Sequence, residues 1–166
     1  YLHGNYEVQL FDSWGVTNPT SADNGGIYER WTDDGVGDEG RAPRQNASRA
    51  PGIWQYMHVS FTAPEFDSNG EKTANARVSV SLNGVPIHSD VELSGPTRGA
   101  SDVEKESGPI RIQGDHGPLA IRDMELIPFD NPKPAVNEIS YVSYTGKFVD
   151  EPDYSGLTPA GSGNTS

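Results

Sequence analysis

Apolar and polar residues alternate along this chain in short runs, the period-two signature of strands rather than the 3.6-residue period of helices. From Asn5 to Phe11, Tyr6, Val8 and Leu10 fall on one side and Glu7, Gln9 and Phe11 on the other, predicting a strand with a core face and a polar face. Asp12 to Gly52 holds only short apolar fragments among Gly, Pro, Asn, Asp and Arg, and is expected to be a long connection with one short strand, Gly26 to Trp31. Such a connection within a compact domain is more often functional than decorative. The β-rich string Ile53 to Thr62 resumes the pattern, and Ala63 to Asn75 is a charged, turn-rich excursion. Arg77 to Leu82 then sets Val78, Val80 and Leu82 on one face, and Asn83-Gly84 is the dipeptide most favoured in a two-residue type I′ hairpin, with Val85 to Leu93 returning. Further strands are expected over Pro109 to Gln113 and Leu119 to Phe129, on either side of a tight turn at Asp115 to Pro118.

Composition supports an all-β reading. The 166 residues include 19 Gly and 13 Pro, which break long helices and suit many strands joined by turns. Twenty-four Asp plus Glu against 12 Lys plus Arg give a formal charge of −12, a field that repels phosphate backbones and anionic lipid, so neither nucleic acid nor a membrane surface is an expected partner. With no cysteine, disulfides and Cys-ligated zinc are excluded, and no apolar run approaches the roughly 18 residues of a membrane span. Beyond Phe129 the composition shifts to Pro, Gly, Ser and Thr. The expected organisation is a β-sandwich over residues 1–129 followed by an extended C-terminal arm or linker over 130–166.

Strands apolar on one face and polar on the other are the usual material of a two-sheet sandwich, whose curved polar face can hold a ligand rich in hydroxyls. Candidates for that face are Glu7 and Gln9, Gln55 or His58, Arg111 and Gln113, and Arg122. For any one of them taken alone a solvated sheet face is the better reading; only convergence in space makes a site. His116, between glycines in Gly114-Asp115-His116-Gly117-Pro118, carries the side chain that most often moves protons near neutral pH, and an ordinary hairpin residue is the alternative. Asp102, Glu104 and Glu106 would share one face of a strand, as the carboxylates of retaining glucanases do. The interleaved Val103 and Lys105 and the flanking Gly, Ser and Pro favour a solvated loop instead. Asp33, Asp34, Asp38 and Glu39 make an acidic, glycine-bearing stretch in which a divalent cation such as calcium is a candidate cofactor, although the spacing is not that of an EF-hand. Asn46-Ala47-Ser48 is a glycosylation triplet of a kind that also arises by chance. No nucleophile elbow, Walker loop or dinucleotide fingerprint occurs.

Taken in order, GNYEVQLFDSWG (4–15), GGIYERW (25–31), PGIWQYMHVSFTAPEFD (51–67), ARVSVSLNGVPIH (76–88), GPT (95–97) and PIRIQGDHGPLAIRDMELIPF (109–129) resemble the 3-keto-disaccharide hydrolase family. The resemblance implies an all-β, antiparallel concanavalin-like jelly-roll β-sandwich, truncated at its N-terminus relative to the family domain, with a second chain as a candidate to complete it. It also implies a bacterial, periplasmic or secreted domain acting on an oligosaccharide or a 3-keto sugar. The implied chemistry is removal of the proton next to a C3 ketone, loss of the C1 oxygen and addition of water. On the matching blocks, His116 is the implied acid or base and Glu7 the alternative base, with Gln9, Asp12, Tyr28, Gln113 and Arg122 as sugar or enolate contacts. The family's LQDHG is one Gly longer here, Gln113-Gly114-Asp115-His116-Gly117, and its Arg-Asn-Ile is replaced by Arg122-Asp123-Met124. A non-catalytic carbohydrate-binding module and an assembly subunit using exposed β-edges are the alternatives.

Overall fold

The computed structural model describes residues 5–30, 40–98, 103–114 and 116–128, and the chain divides into two units, Tyr1–His116 and Gly117–Ser166. In the first unit, β1 (Met57–Thr62), β2 (Glu65–Phe66), β3 (Lys72–Ala74), β4 (Ala76–Leu82) and β5 (Val85–Leu93) form two antiparallel sheets, ordered β1-β4-β5 and β2-β3. The described residues contain no helix.

The centre of the larger sheet follows the sequence pattern closely. Strand β4 alternates strictly between buried and half-buried residues, and its Val78, Val80 and Leu82 join Ile27, Ala76, Ile87, Val91 and Leu93 in the core. Each Val, Leu or Ile among them contributes about 1.5–3 kcal/mol on burial. Asn83 (φ 54°) and Gly84 (φ 81°) both take positive φ, as a type I′ turn requires. Asn83 also anchors the turn to its surroundings: its N–H donates to Tyr56 O (2.7 Å), its Oδ1 accepts from Tyr56 N (3.0 Å), and its Nδ2 donates to Ala47 O (2.7 Å).

Strand β5 breaks the simple alternation. Val78 pairs with Val91, Val80 with His88 and Ser81 with Pro86, so β5 carries extra residues at two points where the register shifts. A bulge resets which side chain faces inward. Consecutive Ile87 and His88 are both buried for this reason, and Asp90 takes φ 47°.

Other expected strands are shorter or missing. The Ile53–Thr62 expectation holds only from Met57 onward, and the excursion 63–75 contains the small β2-β3 hairpin, whose turn is closed by Asp67 Oδ1 accepting from Asn69 N (2.8 Å) and Glu71 N (2.9 Å). The segment Asn5–Phe11 forms no continuous strand, only the isolated bridge Val8–Ile27; Ile27 also bridges Arg41, and Arg30 bridges Thr97. Residues Pro109–Gln113 are not a strand, and neither are the described residues of Leu119–Phe129 in the second unit. A strand requires a neighbour whose backbone accepts and donates in register, and no described segment supplies one. Ile110 and Ile112 in the first unit, and Leu119, Ile121, Met124, Leu126 and Ile127 in the second, are exposed accordingly. The acidic stretch Asp33 to Glu39 and the arm 130–166 lie outside the described residues.

Candidate functional site

Glu7 is held by its own backbone on both sides. Its N–H donates to Thr97 Oγ1 (3.0 Å), and its carbonyl accepts from Tyr28 N (3.2 Å). Two residues on, Gln9 N donates to Gly26 O and Gly25 N to Gln9 O, both at 2.8 Å. Thr97 is buried and its own N–H donates to Asn5 O (2.8 Å), so segments 5–9, 25–30 and 97–98 brace one another without a long ladder. The Glu7 carboxylate, half-buried, thus starts from a fixed main chain.

Gln113 and His116 come to the same place. Gln113 Nε2 lies 3.4 Å from Glu7 Oε1 and 2.9 Å from His116 Nδ1, so one amide group spans a carboxylate and an imidazole. The exposed Phe11 ring meets the His116 ring edge to face, with centroids 6.2 Å apart and planes at 77°. Glu7, Phe11, Gln113 and His116 therefore form one cluster within the first unit, with an acceptor carboxylate, an imidazole and an open aromatic surface. The additional Gly114 leaves Gln113 and His116 in direct contact.

The remaining sequence candidates are distributed differently. Gln9 is buried, 1% exposed, and its Oε1 has no hydrogen-bond partner among the described residues; its side chain is not on an open polar face. Asp12 is exposed and accepts from Trp14 N (3.1 Å) in a local turn. Tyr28 is half-buried beneath the Arg98 guanidinium, 5.9 Å from its ring centroid, and Arg98 in turn pairs with Glu29 (2.7 Å). Gln55 accepts from Arg49 N and Asn83 Nδ2, His58 is half-buried on β1, and Arg111 is exposed. In the second unit, Arg122 pairs with Asp123 at 3.3 Å.

The 102–106 carboxylates are not a catalytic row. Residues 103–106 form no strand, and Asp102 lies outside the described residues. Glu104 accepts from the Tyr6 hydroxyl and pairs with Lys72 Nζ (2.7 Å), while Glu106 is exposed. Burial, reinforced by the hydrogen bond to Glu104 and that residue's charge, pushes the Tyr6 hydroxyl far up, so it remains a donor. Among the described residues no group of three or more acidic or imidazole side chains is arranged to hold a metal, and no helix is long and apolar enough to cross a membrane.

Sequence reasoning missed the polar network that fixes the loop carrying Asp12 and Trp14. Ser13 Oγ donates to Asp23 Oδ1 (2.8 Å) and accepts from Asn24 N (2.9 Å). Asn24 Nδ2 donates to Ser48 Oγ (3.1 Å), and Asn46 Nδ2 donates to both Ser13 O (2.6 Å) and Val16 O (2.9 Å). Both hydrogens of the Asn46 amide are thereby used, so the triplet Asn46-Ala47-Ser48 is a structural clamp in the folded chain. Its only trace in the sequence is the density of Ser, Asn and Asp in a long connection.

Comparison with known proteins bears on the family and the fold. A solved structure of a candidate glycosyl hydrolase from Parabacteroides distasonis is similar, with a TM-score of 0.50 and 29% sequence identity over 64% of this chain. The alignment spans 42% of that protein's own chain. None of the curated proteins matches significantly. The fold is of the antiparallel all-β sandwich class that the sequence predicts. Residues 1–127 match the 3-keto-alpha-glucoside-1,2-lyase-like domain, a span that includes Glu7, Gln113 and His116, and the chain belongs to that family.

Proposed function

We propose that this domain acts on carbohydrate, cleaving 3-keto-glycosides by elimination and subsequent hydration. The observation that carries the reading is the Glu7–Gln113–His116 cluster, in which a proton acceptor and an imidazole are linked through one amide. A ketone at C3 of a sugar acidifies the hydrogen at C2. A base removes that proton, and the C–H electron pair passes through the C2–C3 bond onto the ketone oxygen as an enolate. As the ketone re-forms, the pair makes a C1–C2 double bond, and the C1–O bond breaks with its electrons leaving on the departing oxygen, which takes up a proton. Water then adds across C1–C2, placing hydroxyl on C1 and hydrogen on C2. The chemistry asks for one base and one group that stabilises the enolate, not two opposed carboxyl groups.

Release of glucose or its aglycone from a 3-keto-glucoside tests the proposal directly. Glu7→Gln and His116→Ala are expected to lower kcat by about 10²–10⁴-fold each, the usual contribution of a general acid or base. Unchanged turnover in both variants refutes the assignment. A second reading rests on a separate observation: Phe11 is exposed beside His116, and Trp14 is 60% exposed, so aromatic faces stand ready to stack on a sugar ring whether or not a bond is broken. Saturable binding of an unoxidised glucoside with no turnover of its 3-keto form would favour a binding module.

A further inference from the structure

The position of the Gln113 amide decides which nitrogen of His116 carries the proton, and this bears on how the two candidate groups divide the work. The amide has two chemically opposite ends. Its Nε2 faces two acceptors, Glu7 Oε1 at 3.4 Å and His116 Nδ1 at 2.9 Å, while its Oε1 is buried with no partner among the described residues. Turning the amide over would set a carbonyl oxygen against the Glu7 carboxylate, two acceptors face to face, and only the contact to the imidazole would survive as a hydrogen bond. The orientation that donates to both is favoured, and it requires His116 Nδ1 to be a bare lone pair. The proton of the neutral ring is then on Nε2. The edge-to-face Phe11 ring limits rotation of the imidazole out of this plane.

We propose that Gln113 is a positioning residue that holds His116 as the Nε2–H imidazole, so that His116 donates a hydrogen bond to the enolate oxygen while Glu7 is the base. The division of roles rests on the elimination chemistry proposed above; the tautomer does not. A neutral Nε2–H cannot accept the C2 proton at that nitrogen, but it can stabilise negative charge developing on the ketone oxygen without itself losing a proton. The Glu7 carboxylate, an acceptor on the same amide, takes the C2 proton.

Two measurements on the full chain separate the parts of this proposal. Long-range proton–nitrogen spectra of the ¹⁵N-labelled protein at about pH 8, above the ordinary imidazole range, report the tautomer, with His116→Ala identifying the His116 signals. The expected result is a protonated Nε2 and a bare Nδ1 in the wild type, and a mixture of tautomers in the near-isosteric Gln113→Leu. A protonated Nδ1 in the wild type overturns the arrangement, and so does a Gln113→Leu spectrum, dispersed as for a folded chain, whose tautomer is unchanged. The second measurement is turnover of a 3-keto-glucoside by His116→Gln, whose amide can present a donor near the position of Nε2, against His116→Ala. The donor role predicts a kcat about tenfold or more higher for Gln than for Ala, out of the 10²–10³-fold that one oxyanion donor typically supplies. Gln113→Leu is expected to lower kcat with KM nearly unchanged. Equal losses in His116→Gln and His116→Ala overturn the donor role and return His116 to general base. A wild type inactive on any 3-keto-glucoside overturns the reaction and the donor role together, while the spectrum still decides whether Gln113 sets the tautomer.

Discussion

Replacing Asn46 by Ala should destabilise the first unit far more than the ordinary surface substitution its sequence context suggests. The side chain makes three hydrogen bonds: Nδ2 to Ser13 O (2.6 Å), Nδ2 to Val16 O (2.9 Å), and Oδ1 from Ser48 N (2.9 Å). At about 0.5–1.5 kcal/mol net for each bond, the loss is about 2–4 kcal/mol. Ser48→Ala abolishes the same glycosylation triplet and removes one side-chain bond, from Asn24 Nδ2 (3.1 Å), so about 1 kcal/mol is expected. Urea unfolding followed by fluorescence distinguishes the two, because the midpoint falls while the slope stays constant when only stability changes. In a glycosylating host the folded protein should carry no glycan on Asn46, since both amide hydrogens are committed. A loss for Asn46→Ala no greater than that for Ser48→Ala, or a glycan on Asn46 in folded protein, would refute the clamp.

Substitutions at Gly25 and His88 probe the support behind Glu7, with Gly15 as a control. At Gly25, φ is +80° and an added Cβ would lie 2.3 Å from the Cδ1 of the fully buried Ile87, whereas at Gly15 φ is +78° and nothing lies within 4 Å. Gly25→Ala should therefore cost about 2–4 kcal/mol, from backbone strain plus overpacking, and Gly15→Ala only about 1 kcal/mol, from strain alone; equal midpoint shifts in urea would contradict this. Burial lowers the pKa of His88 below the ordinary imidazole value, against the hydrogen bond to Gly25 O and with the help of the Arg41 and Arg44 charges. The unfolded chain thus binds the proton first, so stability is full above about pH 6.5 and declines as pH falls from there toward the folded value. The melting temperature measured between about pH 7.5 and pH 5 should fall more in the wild type than in His88→Gln, and parallel curves would count against it.

The parts of the fold legible in the sequence are those where local pattern and tertiary context agree. Val78, Val80 and Leu82 alternate, Asn83-Gly84 turns, and the hairpin follows, because each choice of residue serves the same local geometry. The bulges of β5 left no such mark: His88 lies on the polar side of a strict alternation, and only the shifted register turns it inward. The expectation of strands at 109–113 and 119–129 failed for a different reason. Alternation describes a residue's preference for a two-sided environment, but a strand also needs a paired neighbour, which is a property of the rest of the structure. For the site, the residue types at Glu7, Gln113 and His116 were visible, whereas their convergence depends on contacts about a hundred positions apart in the chain. Gln9 shows the limit of the same logic, since its alternation with Glu7 suggested a shared open face and its side chain is buried.

The surroundings of Glu7 and Glu104 bear on the choice between two ways of cleaving a glycoside. Hydrolysis through an oxocarbenium-like state uses two carboxyl groups about 5–9.5 Å apart, one of them able to protonate the leaving oxygen. Glu104 cannot readily be the second: its carboxylate is engaged by the Tyr6 hydroxyl and the Lys72 ammonium, which hold it against the segment it braces. The group that Glu7 reaches through Gln113 is an imidazole. A carboxylate and an imidazole held apart by one amide suit a reaction in which a proton is taken from carbon while charge accumulates on a nearby oxygen, because those events occur at adjacent atoms of the sugar and require no attack from the opposite face of the ring. If the substrate were an unoxidised glycoside, its C2 hydrogen would lack the neighbouring ketone and Glu7 would have no acidic proton to remove. On the proposed elimination, oxidation of the sugar at C3 therefore has to precede the step assigned to Glu7 and His116.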